Sequence, residues 1–294
     1  TVILTRRREV STRIKALLTG EADLAVSVPP HMIPMVEKNP DTVWTSVPSV
    51  RIMYVGFFTR LGGPLEDLNV RLAINYAIDA KSILDTILGG RGDLYGQMIH
   101  TWNYSGYNPK KEWHGYDLAK AKAYLKKSDY PNGFKATLIT ANGAWPGDKA
   151  TCEAITGMLK KINIDTLCQA TTITLFRKTY RVYKKKKKKG NIMYLMGFGN
   201  SAGNPGLVLL STTACKGGWS SHCFKDLDKA MDEALSTADL KLQQARLEGV
   251  TDLMKAKATH KILFKLHDVT GIRKNVKFSP RHDELVYPWE LSFK

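Results

Sequence analysis

Alternation of apolar and polar positions divides the chain into short strands and amphipathic helices. Residues 2–5 read as a strand and residues 12–18 as a helix that Gly20 stops; residues 23–28 form a second strand ended by Pro29 and Pro30. Strands are predicted at 43–45 and 51–59. Asp67 caps a helix carrying Leu68, Leu72, Ile74, Ala77 and Ile78, and Asp79 caps another over 80–88. Residues 91–113 form a long irregular loop. Beyond it, helices at 117–127, 149–162 and 174–183 alternate with strands at 134–140, 164–168 and 191–196, the pattern of a parallel sheet with crossover helices. Two helices (226–237 and 239–257), a strand (262–272) and an irregular aromatic tail (277–294) complete the chain.

Composition changes this picture little. With 43% hydrophobic and 24% charged residues over 294 positions, the chain can bury a sizeable core in one large or two ordinary domains. No apolar run reaches the roughly 18 to 20 residues of a membrane-spanning helix. The chain starts without Met and without a signal-peptide apolar region, so it is read as processed or partial.

The formal charge of +17 invites a nucleic-acid or anionic-surface reading, but six of those charges lie in one lysine run, 184–189. Such a run reads as a solvated loop before it reads as a binding patch.

Candidate chemistry is sparse. The chain has no GxSxG, HExxH, P-loop or paired CxxC motif, and its seven histidines share no ligand spacing, so no catalytic residue and no cofactor is assigned. Cys215 and Cys223 bracket a Gly- and Ser-rich loop that a disulfide would close in an exported protein; a zinc site of Cys215, His222 and Cys223 is the sharper alternative. Cys152, in a helical pattern, and Cys168, in a strand, read as packed thiols. The cluster from Gly197 to Gly203 follows a strand directly. It resembles a phosphate-cradling loop of a nucleotide-dependent enzyme but lacks the helix, second strand and distant acid of a dinucleotide site, and reads better as a ligand-contacting loop at the end of a parallel strand.

Several stretches in a fixed order resemble the solute-binding proteins of bacterial peptide and nickel ABC importers. Ser11-Thr12-Arg13 with Ala16-Leu17-Leu18-Thr19-Gly20-Glu21-Ala22-Asp23 is similar to the family's STR…ALLxGExD. The segment from Pro64 to Asp79 (PLEDLNVRLAINYAID) is similar to PFxDxRVRQAINYAID. Gly106-Tyr107-Asn108-Pro109, the stretch from Tyr116 to Lys122, Tyr130-Pro131-Asn132-Gly133-Phe134, Gly271-Ile272-Arg273-Lys274 and the stretch from Pro280 to Glu284 continue the series.

The resemblance implies a periplasmic or extracellular receptor, with a lipid anchor on the full-length protein as an option. It would trap a peptide or peptide-like solute between two lobes and deliver it to a membrane permease, as a monomer without enzymatic activity or nucleic-acid binding. It implies an α/β, two-lobed periplasmic-binding-protein fold with mixed, largely parallel sheets flanked by helices. The first lobe would comprise 1–105 with 271–294, its N-terminal part missing, and the second 106–270. The loop after residue 196 is similar to GWGxxxGDP, with Phe198 for Trp and Asn204 for an acid, which weakens the expectation of a free amino terminus. Tyr54-Val55-Gly56-Phe57-Phe58 is similar to YxGFN, and Phe57 and Phe58 point to opposite faces. The implied ligand contacts are Tyr54, Phe57, Trp102, Gly197, Phe198, Gly199, Asn200, Ser201 and Asn204.

Overall fold

The computed structural model describes residues 1–7, 9–99, 104–185 and 189–294. Helix α1 (Val10–Leu18), the two-residue strand β1 (Leu24–Ala25) and helix α2 (Ile33–Lys38) precede the 16-residue strand β2 (Thr42–Phe57). Helices α3 (Leu68–Ala77) and α4 (Ala80–Ile87) start where expected: Asp67 accepts the Asn69 N–H at 2.7 Å and Asp79 that of Ser82 at 3.0 Å. Strand β3 (Gly92–Leu94) leads to α5 (Leu118–Lys127), capped by Asp117. The alternating region follows as β4 (Phe134–Ala141), α6 (Asp148–Lys160), β5 (Ile164–Thr171), α7 (Ile173–Lys184) and β6 (Ile192–Gly199). After α8 (Pro205–Thr212), α9 (Lys225–Leu235) and α10 (Leu240–Ala256), the chain returns as β7 (His260–Arg273), with β8 (Val276–Lys277) and β9 (Ser292–Phe293) in the tail.

One seven-stranded sheet has the order β1-β7-β2-β6-β4-β5, with β3 against β7. Parallel pairing, expected to dominate, is confined to β4 with β5 and β6; the other pairs are antiparallel. The crossover helices α6 and α7 account for the parallel part. The sheet is continuous across the boundary expected at 105/106, since β2 pairs with both β6 and β7.

Period-two alternation along β2 feeds two cores. Met53, Val55 and Phe57 pack with apolar residues of α3, α4, α5 and α6 on one face. Ile52, Tyr54 and Phe58 pack with those of α7, α8, α9 and α10 on the other. A third, smaller cluster joins Ile14, Leu17, Ala25, Val28, Ile33 and Val36 to Val269, so β7 runs from the small cluster into the large ones.

Several expectations change. Residues 2–5 form no strand, and Ile3 and Leu4 are exposed, because no neighbouring strand pairs with them among the described residues. The strands expected at 43–45 and 51–59 are one strand: Pro48 marks a shift of register rather than an end. The apolar stretch after Pro205 is helix α8, apolar on most sides and hence without a 3.6-residue signal. Cys152 and Cys168 are not packed thiols but a disulfide tying α6 to β5. Cys215 and Cys223 form the expected disulfide, which leaves His222 with no thiolate to share a zinc ion.

Gly56 shows how tightly β2 meets β6. It is paired with Tyr194, and a Cβ at Gly56 would stand 2.1 Å from the Tyr194 ring, whose hydroxyl donates to Trp219 O at 3.0 Å. Gly56→Ala is expected to cost about 3 kcal/mol in a denaturant titration, the upper range for overpacking a filled core.

Lys261, 2% exposed, donates from Nζ to His114 O at 2.6 Å, and burial lowers its pKa to about 7. Since the unfolded chain holds that proton up to about 10.5, it binds more protons than the folded one between these values. Stability therefore rises with pH across this window. Lys261→Met is expected to flatten that rise in melting temperatures measured from pH 7 to 10.

Candidate functional site

A cleft of about 470 Å³ opens at the C-terminal end of β6. Its lining comes from both ends of the chain: Val26 and Ser27 after β1, Ser49 and Arg51 of β2, His267 and Asp268 of β7, and Glu284 of the tail face Trp145, Phe176 and Gly197 to Gly199. A register break builds this corner. Pro48 pairs with His267 and Ile52 with Lys265, so residues 49–51 of β2 oppose Leu266 alone. Such a bulge re-aims side chains, and Val50 N–H leaves the ladder to bond His282 O at 2.9 Å. Two of the four non-glycine residues with positive φ among the described residues, Ser27 (54°) and Glu284 (63°), also lie here. Backbone strain of this kind persists where the surroundings hold it, commonly at binding sites.

The glycines of β6 are explained by packing. A Cβ on Gly197 would lie 2.8 Å from both Met53 Sδ and the Trp145 ring, and one on Gly199 would lie 2.9 Å from Arg51 Nη2. Arg51 Nε donates to Glu284 Oε1 at 3.0 Å and Nη2 to Oε2, a two-point clasp between β2 and the tail. Asp268 lines the cleft beside this pair. Burial, then the Glu284 charge, push its pKa up to about 6, with Arg51 acting in the opposite direction.

Aromatic side chains form the opposite wall. Phe176 meets Trp145 edge-on at 6.0 Å and stacks with Trp219 at 6.4 Å between ring centroids. Trp145 is presented by a turn pinned from below by Asp148, which is 3% exposed. The Asp148 carboxylate accepts N–H groups of Gly143, Ala144, Trp145 and Lys149 at 2.8 to 3.0 Å. Burial holds it above the ordinary carboxylate value despite these donors.

Of the residues singled out in the sequence, Gly197, Phe198 and Gly199 line the cleft. Asn200, Ser201 and Asn204 follow it and are engaged in hydrogen bonds of their own. Asn200 Nδ2 donates to Asn204 O at 2.7 Å, Ser201 Oγ to Asp283 O at 2.8 Å, and Asn204 Oδ1 caps α8 through Gly206 N–H at 2.8 Å. Tyr54 and Phe57 lie in the cores, each 0% exposed, Tyr54 edge-on to His260 at 4.9 Å. Trp102 and lysines 186–188 fall outside the described residues.

The sequence reading did not find Arg51, Trp145, Phe176, Trp219, Asp268 or Glu284. Trp145 carried a signal, since it lies in a Gly- and Pro-rich turn directly after a parallel strand. Arg51 and Asp268 carried none, and Glu284 stood only in a stretch that marks the family; a bulge and the tail bring the three together.

Comparison with known proteins decides the family. The model of bacterial extracellular solute-binding proteins, family 5, middle region, matches residues 2–220. The chain belongs to this family.

Among family relatives, the glutathione-binding protein GsiB of Escherichia coli O6:K15:H31 is 26% identical over 242 residues, 78% of this chain and 45% of GsiB. The chain thus spans about half the length of the curated relatives it matches. Among solved structures, the periplasmic binding protein DppA of Helicobacter pylori, in complex with the peptide STSA, superposes with a TM-score of 0.82 at 22% identity, over 97% of this chain and 55% of that one. NikA of Staphylococcus aureus, in complex with Ni(L-His)2, gives 0.81 at 16% identity, over 98% and 61%. These likenesses show the fold of the family's binding proteins. Among the described residues no helix is long and apolar enough to cross a membrane.

Asp148→Ala, which leaves four backbone N–H groups without their acceptor, is expected to lower the melting temperature by roughly 2 to 5 °C, as a loss of 1.5 to 3 kcal/mol would in a chain of this size. It should also red-shift Trp emission as the 143–147 turn admits water, and unchanged emission would dissociate Trp145 from Asp148.

Proposed function

We propose that this protein is the solute-binding receptor of an ABC importer, acting in the periplasm or outside the cell and handing a peptide or peptide-like solute to a membrane permease. The observation that carries this reading is the aromatic-walled, charge-floored cleft at the end of β6, whose lining is drawn from both sets of residues expected to form lobes. In this reading residues 1–105 with 271–294 contribute to one lobe and 106–270 to the other, and the long strands β2 and β7 run between them. Closure would bury the solute between the lobes. Backbone groups of β6 would hold an extended chain independently of its sequence, while Trp145, Phe176 and Phe198 cover apolar side chains.

Family membership supports this reading, as do relatives described as binding glutathione and the peptide STSA. The same membership speaks for a binding protein rather than an enzyme; that it works as a monomer and without nucleic acid is part of the proposal. The Gly197 to Gly203 loop loses weight as a phosphate cradle, because Gly197 and Gly199 make room for Trp145, Met53 and Arg51.

Calorimetric titration with glutathione and with tri- and tetrapeptides is expected to show saturable binding that changes little with salt. Trp145→Ala and Phe198→Ala should each weaken it at least tenfold without a matching loss of melting temperature. Binding of nucleotides or of DNA in place of peptides would overturn the proposal.

A further inference from the structure

Helix α7 is divided lengthwise. Its inner side carries Phe176, Tyr180 and Tyr183, all buried in the core that lies against β2 and β6. Its outer side carries Arg177, Lys178 and Arg181, with Lys185 at the C-cap, each exposed, and spacings of three and four residues keep 178, 181 and 185 on one stripe. The sequence around it supplies no compensating charge. Neither Asp nor Glu stands between Asp165 and Asp226.

The loop after α8 widens this face. Lys184 Nζ donates to Gly217 O and Arg60 Nη1 to Cys215 O at 3.3 Å, which brings the exposed Arg60 and Lys216 alongside the end of α7. Burial, then the nearby Arg60 charge, hold Lys184 below the ordinary lysine value. Among the described residues none of the exposed cations on this face forms an ion pair, whereas Lys81, Lys111, Lys149 and Lys229 elsewhere each meet an acid. Crowded like charges repel one another, and an anionic partner relieves that repulsion.

The chemistry of the partner follows from what the face holds and lacks. Single-stranded nucleic acid is gripped by stacking on exposed aromatic rings, and protein partners are anchored by aromatic side chains at the interface centre; the rings of α7 point inward. What faces outward is a row of long cations with Leu175, 46% exposed, three residues before Lys178. That combination suits a helix lying flat on anionic lipid, its cations at the phosphates and its apolar side chain at the acyl boundary. The family is extracellular, which sets such a face opposite a membrane surface rather than the nucleic acid of the cell interior.

We propose that the outer face of α7, with Arg60 and Lys216, docks the protein on an anionic phospholipid bilayer. The inference goes beyond the solute reading and stands without it. Because Arg177 also lines the cleft, docking brings that rim of the cleft close to the membrane.

The test is co-sedimentation of the whole 294-residue protein with vesicles of phosphatidylcholine, alone or with about one-third phosphatidylglycerol. Binding to the anionic vesicles is expected to be at least about tenfold stronger and to vanish near 1 M salt, where screening acts over about 3 Å. Lys178→Gln, Arg181→Gln, Lys185→Gln and Lys216→Gln combined should weaken it at least about tenfold at an unchanged melting temperature. A charge-matched control on the other face of the sheet, Lys126→Gln, Lys127→Gln, Lys160→Gln and Lys161→Gln combined, should bind like wild type. Should the first combination melt early, Arg181→Glu alone must still weaken binding severalfold, and the proposal fails if it does not. Equal binding to neutral and anionic vesicles overturns it, and so does a control that loses as much as the α7 variant, which would assign the attraction to net charge alone. Binding to duplex DNA without binding to anionic vesicles overturns it in favour of a nucleic-acid face.

Discussion

The long antiparallel pairing of β2 with β7 is the constraint on which the molecule depends. These two strands carry the sheet from the small cluster around Ile14 and Val36 into the two large cores, and β6, and through it β4 and β5, join the sheet by way of β2. Strict alternation over residues 52–57 assigns every side chain of β2 to one core or the other. A slip of one residue would exchange the faces and place Met53 or Val55 where Tyr54 meets Tyr194 and His260. The register is therefore held by shape, most tightly where Gly56 leaves space for the Tyr194 ring.

The larger of the two register shifts in that pairing, between Pro48 and Ile52, is where the cleft lies. Three residues of β2 opposite one of β7 would weaken an ordinary sheet, yet here the surplus backbone is taken up by the tail through His282, and the surplus side chains form the charged floor. Arg51 and Glu284 thereby link the centre of the sheet to the last part of the chain. Rigid strands on both sides of the break fix the floor, and a turn anchored on Asp148 fixes the aromatic wall facing it. Both surfaces are thus ordered before any solute arrives, which lowers the entropy a ligand must lose on binding.

Much of the fold was legible because its signals are local. Asp67, Asp79 and Asp117 each cap the helix their position announces, and the alternation of strand and helix over 134–199 is the parallel part of the sheet. What escaped was non-local or aperiodic. Pro48 reads as a strand end because a proline cannot donate to a ladder, and only the tail shows how the break is bridged. Helix α8 has no polar face to announce it. At the site, the glycine-rich loop was found for a reason that differs from its packing role. Tyr54 and Phe57 carry the family's pattern in positions wholly enclosed by the cores. Asp268 was invisible because the cavity that gives it meaning is assembled from segments separated by more than two hundred residues.

The link between Cys152 and Cys168 bears on the outer edge of the sheet. β5 is the outermost strand on that side, bonded through β4 alone among the described residues, and Leu167 on it is two-thirds exposed. An unprotected outer strand of this kind is a template for pairing with another chain. Tethering Cys168 to helix α6 keeps the strand from peeling away, and closing a loop of this length removes roughly 3 kcal/mol of freedom from the unfolded chain. Reducing conditions would therefore act first as an aggregation hazard at the rim of the sheet.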